Sequence, residues 1–137
     1  MFDALEVSAS GLSAQRQRLT LIAANLANAF TTRDVAGRPN PYRRQVALLQ
    51  SAPVEGAAEE GPLGVRVAGV TADPSPFRMV HDPSHPDADE HGYVQYPNVD
   101  LLTETVDALA ATRAYEANVT AIEATKSMIS AALRIIA

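Results

Sequence analysis

The sequence predicts an α+β fold in which long N- and C-terminal helices pair in a coiled-coil-like layer, with a small β-rich subdomain between them. All nine prolines lie between Pro39 and Pro97. Proline removes a backbone donor and clashes with the preceding helical turn, so uninterrupted helix is confined to the two ends. Both ends carry apolar residues at seven-residue spacing, which is typical of helices that pack on other helices. We therefore divide the chain into an N-terminal assembly helix with its connector (1–38), a Pro-rich middle (39–97) and a C-terminal assembly helix (98–137).

The first helix is predicted from Asp3 to Ala29. Its apolar row repeats every seven residues: Leu5, Leu12, Leu19 and Leu26. The other positions are mostly small or neutral-polar, whereas a solvent-facing helix normally carries a charged face. This surface favours a helix surrounded by protein in an assembly. The alternative is an ordinary amphipathic helix that folds against its own domain.

The middle of the chain combines turn formers with short runs rich in Val and aromatic residues, which indicate strands. The strand candidates are Tyr42–Gln50, Val65–Thr71, Phe77–His81 and Tyr93–Tyr96. The stretch Ser51–Gly64 is small, acidic and turn-prone, and we expect a flexible surface loop there. About four short strands with few apolar residues make a small subdomain without a deep enzyme pocket.

The last helix is predicted to begin after Pro97, with Asn98 as its cap and Asp100 and Glu104 near the positive end of its dipole. Its apolar row contains Leu101, Ala108, Tyr115, Ile122, Ile129 and Ile136, with Val119 and Leu133 beside it. A helix of nearly forty residues spans roughly 55–60 Å. This length requires a partner for the apolar row, either the first helix or helices of other subunits.

Composition excludes several classes of function. The net charge of −5 and the lack of a basic run argue against a nucleic-acid partner. No apolar stretch reaches the roughly 18–20 residues that cross a bilayer, so direct membrane insertion is not expected. The N-terminus has no features of a cleavable secretory signal. A chain with no cysteine forms no disulfide, and the sequence has neither a Gly-rich phosphate loop nor a nucleophile with a neighbouring histidine. We expect neither an enzyme nor a bound cofactor.

The segment His81–His91 offers an alternative function as a metal-binding module. It contains all three histidines, His81, His85 and His91, among four carboxylates. Part of it resembles the opening of a calcium loop, but His91 and Asn98 replace the ligands that such a loop requires at positions five and twelve. The simpler interpretation is a Pro-rich turn held by Asp and Ser side chains, without a metal.

Polar residues on the helices allow two interpretations. Asn25, Asn28 and Asn118 could hydrogen-bond across a helix interface and fix its register, as a buried Asn does in a coiled coil. Alternatively, Asn25 and Asn28 merely help to end the first helix. Arg43 and Arg44 could pair with acidic neighbours, but exposed arginines usually do no more than solvate a strand.

Several stretches resemble bacterial flagellar rod and hook proteins. The N-terminal stretches are Ser8–Arg16 (SASGLSAQR) and Ile22–Ala29 (IAANLANA). The others are Asp82–Asp89 (DPSHPDAD), Gly92–Val94 (GYV), Tyr96–Val99 (YPNV) and Arg113–Val119 (RAYEANV). The resemblance covers about residues 1–46 and 74–137. One departure is Phe30, where a small polar residue is more usual.

This resemblance implies a structural subunit of the proximal rod in the flagellar basal body, located where the rod spans the periplasm. It implies as partners other proximal- and distal-rod proteins, copies of the same chain, and membrane-ring and export-gate components at the rod base. It also implies export through the flagellar type III apparatus. We expect the two terminal helices to drive a heterologous helical assembly. The expected interface residues are Leu5, Leu12, Leu19, Ile22, Asn25, Leu26, Asn28, Leu101, Tyr115, Asn118, Val119, Ile122, Ile129, Leu133 and Ile136.

Overall fold

The computed structural model describes residues 2–54 and 61–136. Two long helices, α1 (Phe2–Ala27) and α2 (Leu101–Ile136), lie at the two ends of the described chain, and the strands lie between them in sequence. These strands are β1 (Gln45–Pro53), β2 (Leu63–Ala72), β3 (Arg78–His81) and β4 (Tyr93–Tyr96). The predicted α+β fold, with helical ends and a β-rich middle, is confirmed.

The first helix ends two residues earlier than predicted, because Asn28 turns the chain. Its Nδ2 donates to the carbonyl of Ala24 at 2.9 Å, and its Oδ1 accepts from the hydroxyl of Thr31 at 3.2 Å. An Asn side chain that bonds to nearby backbone competes with helical geometry. Asn28 therefore helps to end α1 at Ala27.

The expectation that Asn98 caps the last helix is wrong, and Asp100 is the cap. The carboxylate of Asp100 accepts from the amide of Leu102 at 3.2 Å and from the hydroxyl of Thr103 at 2.6 Å. It thereby satisfies a free amide of the first turn. The hydrogen bond from Thr103, followed by the one from Leu102, lowers the pKa of Asp100. Asn98 accepts instead from the amide of Arg44 at 2.9 Å, which joins the approach to β1 with the approach to α2.

The strands form two separate antiparallel pairs, β1 with β2 and β3 with β4. β4 has the predicted bounds, and β3 is one residue shorter than predicted. Both β1 and β2 extend into the segment predicted as a flexible loop, so this prediction is wrong for residues 51–53 and 63–64. Residues 55–60 of that segment lie outside the described residues. The pairing register between β1 and β2 shifts at a bulge between Leu48 and Leu49.

α1 contacts α2 along one face and the β1–β2 hairpin along an adjoining face. On the helix side, a Cβ placed on Gly11 would lie 2.9 Å from Nδ2 of Asn118. On the hairpin side, the hydroxyl of Ser10 accepts from the amide of Val65 at 3.0 Å. The remaining face of α1 is exposed.

The two helices are antiparallel, and α2 is the longer one. Gly11 lies against Asn118, whereas Asn25, later in α1, bonds to Glu104, earlier in α2. With 36 residues against 26, α2 exceeds α1 by about 15 Å. The excess lies at the C-terminal end of α2, where Ile135 is 85% exposed.

The core of the described chain is small. Its buried apolar residues are Ala14, Ile22, Ala29, Val94, Val99 and Ala111. Alanine buries little area, so hydrophobic burial contributes less here than in a core of larger side chains. Neither described helix contains a stretch long and apolar enough to cross a membrane.

Candidate assembly interface

Small and polar side chains form the contact between α1 and α2. In α2, Glu104 and Ala111 are fully buried and Thr125 is 7% exposed. The half-buried Asn118 lies in the same row, at the same seven-residue spacing. Gly11 allows the helices to approach each other at Asn118, because any side chain there would meet its amide. The closest contact therefore depends on small size and polar bonding more than on interdigitated leucines.

The apolar row predicted in the last helix lies beside this buried row. Four residues of the predicted set are half-buried: Ala108, Val119, Ile122 and Ile129. Three are exposed: Leu101, Tyr115 and Leu133. The side chain of Ile136 lies outside the described residues. Much of this row thus keeps apolar surface that its own chain does not cover.

The apolar row predicted in the first helix is partly covered within the chain. Its four leucines are half-buried: Leu5, Leu12, Leu19 and Leu26. Ile22 is buried, with 6% of its surface exposed. The row therefore contributes to packing in the single subunit and retains surface for a neighbour.

Asn25 joins three segments of the chain. It is 1% exposed, and its Nδ2 donates to the carbonyl of Gln45 at 2.9 Å and to Oε2 of Glu104 at 3.1 Å. Its Oδ1 accepts from the hydroxyl of Tyr42 and the amide of Gln45, both at 2.9 Å. A buried amide with every polar position used fixes the relative placement of its partners. Asn25 thus bonds between helices, as one interpretation of the sequence predicted.

Asn118 acts differently. Its Nδ2 donates to the carbonyl of Ala114 in its own helix at 2.9 Å. Its contact with α1 is the steric one at Gly11. Asn118 therefore meets the other helix through packing, and its hydrogen bond stays within α2.

Arg44 is the centre of an ion-pair cluster at the base of β1. Its Nε donates to Oε1 of Glu104 at 2.5 Å, and another nitrogen lies 3.1 Å from Asp107. A third contact reaches Asp73 at 3.5 Å. Arg18 of α1 also binds Asp107, at 3.1 Å. The cluster therefore connects α1, α2 and the two ends of the β1–β2 hairpin.

The interpretation that the two arginines only solvate a strand is wrong. Burial lowers the pKa of Arg44, but the hydrogen bond and charge of Glu104, together with the charges of Asp107 and Asp73, outweigh burial, so the pKa is raised overall. Burial, followed by the charge of Glu104, raises the pKa of Tyr42. Arg43 donates to the carbonyl of Ser75 at 2.9 Å. Spacing along the sequence does not reveal these partners, because they lie roughly 30 to 60 residues away.

A second apolar face on α2 is exposed, and we call it the α2 ridge. It consists of Leu102, Val106 and Leu109, which are 73%, 59% and 60% exposed. Spacing at i, i+4 and i+7 places the three on one face of the helix, opposite the buried Glu104 and Ala111. The seven-residue row that starts at Leu101 does not contain this ridge. The i, i+4, i+7 spacing of the three ridge residues is the sequence signal that predicts this face.

The histidine segment forms a turn in the structure. Nδ1 of His85 accepts from the amide of Asp87 at 3.1 Å. Arg33 and Thr32 bind the carboxylate of Asp87 at 2.6 and 2.8 Å, and the hydrogen bond from Arg33 is the main cause of its lowered pKa. Within residues 2–54 and 61–136, no three His, Asp or Glu side chains are grouped as metal ligands. The described geometry gives no support to the metal-binding alternative.

Comparison with protein families matches both ends of the chain. Residues 5–33 match the family described as flagella basal body rod protein. Residues 90–135 match the C-terminal region of flagellar basal body rod FlgEFG proteins. The two matches contain most of α1 and α2, the helices that contact each other in the structure.

Comparison with whole proteins gives relatives along nearly the full length. The flagellar basal-body rod protein FlgC of Bacillus subtilis (strain 168) is 48% identical over 146 aligned positions, covering 98% of this chain and 97% of the relative. FlgC of Borreliella burgdorferi is 41% identical over 151 positions, covering 99% and 97%. The chain belongs to the FlgC family of flagellar basal-body rod proteins. FlgC of Aquifex aeolicus extends the similarity to 38% identity over 128 positions, covering 93% and 91%.

Membership of the FlgC family confirms the resemblance inferred from the sequence motifs. It assigns to the chain a structural role in the rod of the flagellar basal body, and the family is not one of enzymes. A structural role agrees with a molecule whose longest element, α2, keeps large apolar side chains exposed from Leu101 to Ile135.

Proposed function

We propose that this chain is a structural subunit of the proximal rod and assembles helically into the drive shaft that transmits motor torque. Its partners are copies of itself, other proximal- and distal-rod proteins, and membrane-ring and export-gate components at the rod base. The subunit reaches the periplasm-spanning rod through the flagellar type III apparatus. Membership of the FlgC family and the sequence resemblance support this proposal.

The observation that carries the proposal is the unequal length of the two paired helices. α2 extends about 15 Å beyond the start of α1. In its last turns, Met128, Leu133 and Ile135 are 58%, 62% and 85% exposed. The α2 ridge lies at the opposite end of the same helix. A subunit with different apolar surfaces at its two ends joins to the next head to tail, which produces an open filament unless the rotation closes.

The proposed interface also includes the half-buried row of α1, from Leu5 to Leu26, and the partly exposed row of α2, from Leu101 to Leu133. Half-buried leucine and isoleucine bury more surface when a neighbour covers them, at roughly 25 cal/mol per Å². This gain offsets the cost of about 1–2 kcal/mol for ordering each backbone residue of the helices. The terminal helices are therefore expected to be most stable inside the rod.

The test is incorporation of a variant into basal bodies. Leu109→Asp places a charge on the α2 ridge, where the side chain is 60% exposed, so the isolated chain should fold. In cells that lack the wild-type chain, we expect this variant to be missing from isolated basal bodies and motility to be lost. Thr71→Asp, at an exposed position of β2, is the matched control and should incorporate. Normal rods built from the Leu109→Asp chain would contradict the proposal.

A further inference from the structure

The α2 ridge continues into an exposed ion pair. Beyond Leu109, Arg113 lies 3.2 Å from Glu116, and their side chains are 75% and 58% exposed. Leu102 and Glu116 lie on the same side of α2, four turns apart. Exposed apolar rows of this kind mark interaction sites on soluble proteins. The ridge therefore presents an apolar end and, farther along, a carboxylate.

The exposed face of α1 has complementary properties. It consists of the small or short side chains Thr20, Ala23 and Ala27, with Arg16 in the same row. Just beyond the helix, the ring of Phe30 is 63% exposed. Small residues leave hollows into which larger side chains of another helix fit as knobs. This face points away from α2 of its own chain, so a neighbouring molecule can fill the hollows.

Orientation fixes how these two faces can meet. Copies in a head-to-tail assembly share one direction along its axis, so α2 of one copy runs antiparallel to α1 of the copy beside it. When Leu109 is set opposite Ala23, Leu102 falls opposite Phe30, because each lies seven residues away in opposite directions. Val106 then falls beside Ala27, so all three ridge residues meet apolar partners.

The same register also matches charge. Glu116 lies seven residues after Leu109, and Arg16 lies seven residues before Ala23, so the carboxylate of one copy falls opposite the guanidinium of the next. Opposite charges in register set the orientation and position of an interface. Apolar fit and charge therefore favour the same alignment.

We infer that the α2 ridge of one copy docks on the exposed face of α1 in a second copy, with Glu116 paired to Arg16. This inference rests on the proposed function and names the surface by which copies meet in the rod. Within one chain Asn25 bonds to Glu104, whereas the inferred register places Glu104 opposite residue 28 of the neighbour. The shift of three residues corresponds to about 4.5 Å along the helix axis. Successive copies are therefore staggered, as a helical assembly requires.

The contact is too small to hold two free molecules together. The ridge offers on the order of a few hundred Å² of apolar surface, whereas a stable pair buries about 800 Å² on each partner. The dilute chain should therefore remain monomeric, and the contact should form when many neighbours act together in the rod.

Introduced cysteines test the register, because the chain contains no cysteine of its own. In the variant Ala23→Cys/Leu109→Cys, the two thiols lie on opposite outer faces of one chain and can bond only between copies. Mild oxidation of basal bodies isolated from cells that make this variant should give a ladder of cross-linked multimers. Ser13→Cys/Leu109→Cys is the control, since Ser13 lies about 15 Å from the inferred contact along α1, and it should give no ladder.

Charge reversal gives a second test. Arg16→Glu or Glu116→Arg alone should block incorporation, because each produces like charges at every contact between copies. The two variants produced in the same cell should restore rods by alternating, and the double variant Arg16→Glu/Glu116→Arg should restore them alone. Arg113→Ala, which removes only the partner of Glu116 within α2, should leave incorporation intact.

Basal bodies that contain the cysteine variant but give no ladder overturn this inference and leave the proposed function standing. Absence of the wild-type chain from basal bodies overturns both.

Discussion

Arg44 and Glu104 form a part-buried ion pair between the start of β1 and the first turns of α2. The Nε of Arg44 donates to Oε1 of Glu104 at 2.5 Å, and the side chain of Glu104 is fully buried. The second carboxylate oxygen accepts from Asn25 of α1 at 3.1 Å. A charge withdrawn from water is tolerated only when it is paired and hydrogen-bonded. The charge of Glu104 is therefore compensated only when α1, α2 and the start of β1 are packed together.

Glu104→Gln removes this charge while it keeps the shape of the side chain. We expect a loss of about 2–3 kcal/mol in the free energy of unfolding, because part of the buried network is left unpaired while Asp73 and Asp107 still compensate Arg44. Urea unfolding followed by circular dichroism measures the change. Glu116→Gln removes a carboxylate that is 58% exposed in its pair with Arg113, and it should change stability by less than about 0.5 kcal/mol. Equal effects of the two substitutions would contradict the role of burial.

Asn25→Ala should be among the most damaging substitutions in α1. It leaves the backbone of Gln45, the hydroxyl of Tyr42 and one oxygen of Glu104 without their partner. Unsatisfied buried groups cost about 1–3 kcal/mol each, so we expect at least about 3 kcal/mol in denaturant unfolding. Asn28→Ala is the matched control, since it removes only local bonds at the helix end and should cost about 1 kcal/mol. If both substitutions lower the free energy of unfolding equally, Asn25 does not join α1 to α2 and to the start of β1.

The architecture could be predicted from the sequence because proline acts locally. A proline interrupts the interior of a helix, so the bounds of the two helical ends follow within a few residues. β4 follows equally well from Tyr93–Tyr96, a short run of strand-forming residues between turns. The extension of β1 to Pro53 does not follow, since pairing with Leu63 decides it and that pairing depends on tertiary contact.

The buried row of the helix contact could not be predicted from an apolar pattern. The predicted row contains Ile122 and Ile129, which are half-buried, whereas Glu104 and Ala111 are fully buried in the same helix. Glu104 is buried there because Arg44 reaches it from 60 residues away in the chain and Asn25 from 79 residues away. Pairings of this kind depend on three-dimensional placement, so single-sequence periodicity does not detect them.

Acid should destabilise the fold through carboxylates in its loops and caps. The hydrogen bond from Arg33 is the largest cause that lowers the pKa of Asp87 below its ordinary value of 3.8. The hydroxyl bond from Thr103 does the same for Asp100. A folded-state pKa below the unfolded one stabilises the protein at pH values above the unfolded pKa. This contribution is lost as the pH falls through the folded-state pKa.

We therefore expect these groups to cause no change in melting temperature between about pH 6 and 8 and a decrease below about pH 4. Asp87→Asn should lower the melting temperature at pH 7 and approach the wild type at the lowest pH, because the wild-type carboxylate is then protonated. Differential scanning fluorimetry across the pH range measures both curves. Glu90→Gln, an exposed neighbour on the same segment, should follow the wild-type curve. A constant difference between Asp87→Asn and wild type at all pH values would refute the assignment.

Gly64→Ala should destabilise the packing of the β1–β2 hairpin against α1. Gly64 is buried, and a Cβ there would lie 2.5 Å from the hydroxyl oxygen of Ser10 and 3.2 Å from Val54. Overpacking of this kind costs about 1–3 kcal/mol, measured as the free energy of unfolding in urea. Gly69→Ala is the matched control on the same strand, because no atom lies within 4 Å of its added Cβ, and it should be neutral or slightly stabilising. Ser10→Gly removes the obstructing hydroxyl, so the double variant should lose less stability than the two single losses added together. Additive losses would show that Gly64 and Ser10 do not meet.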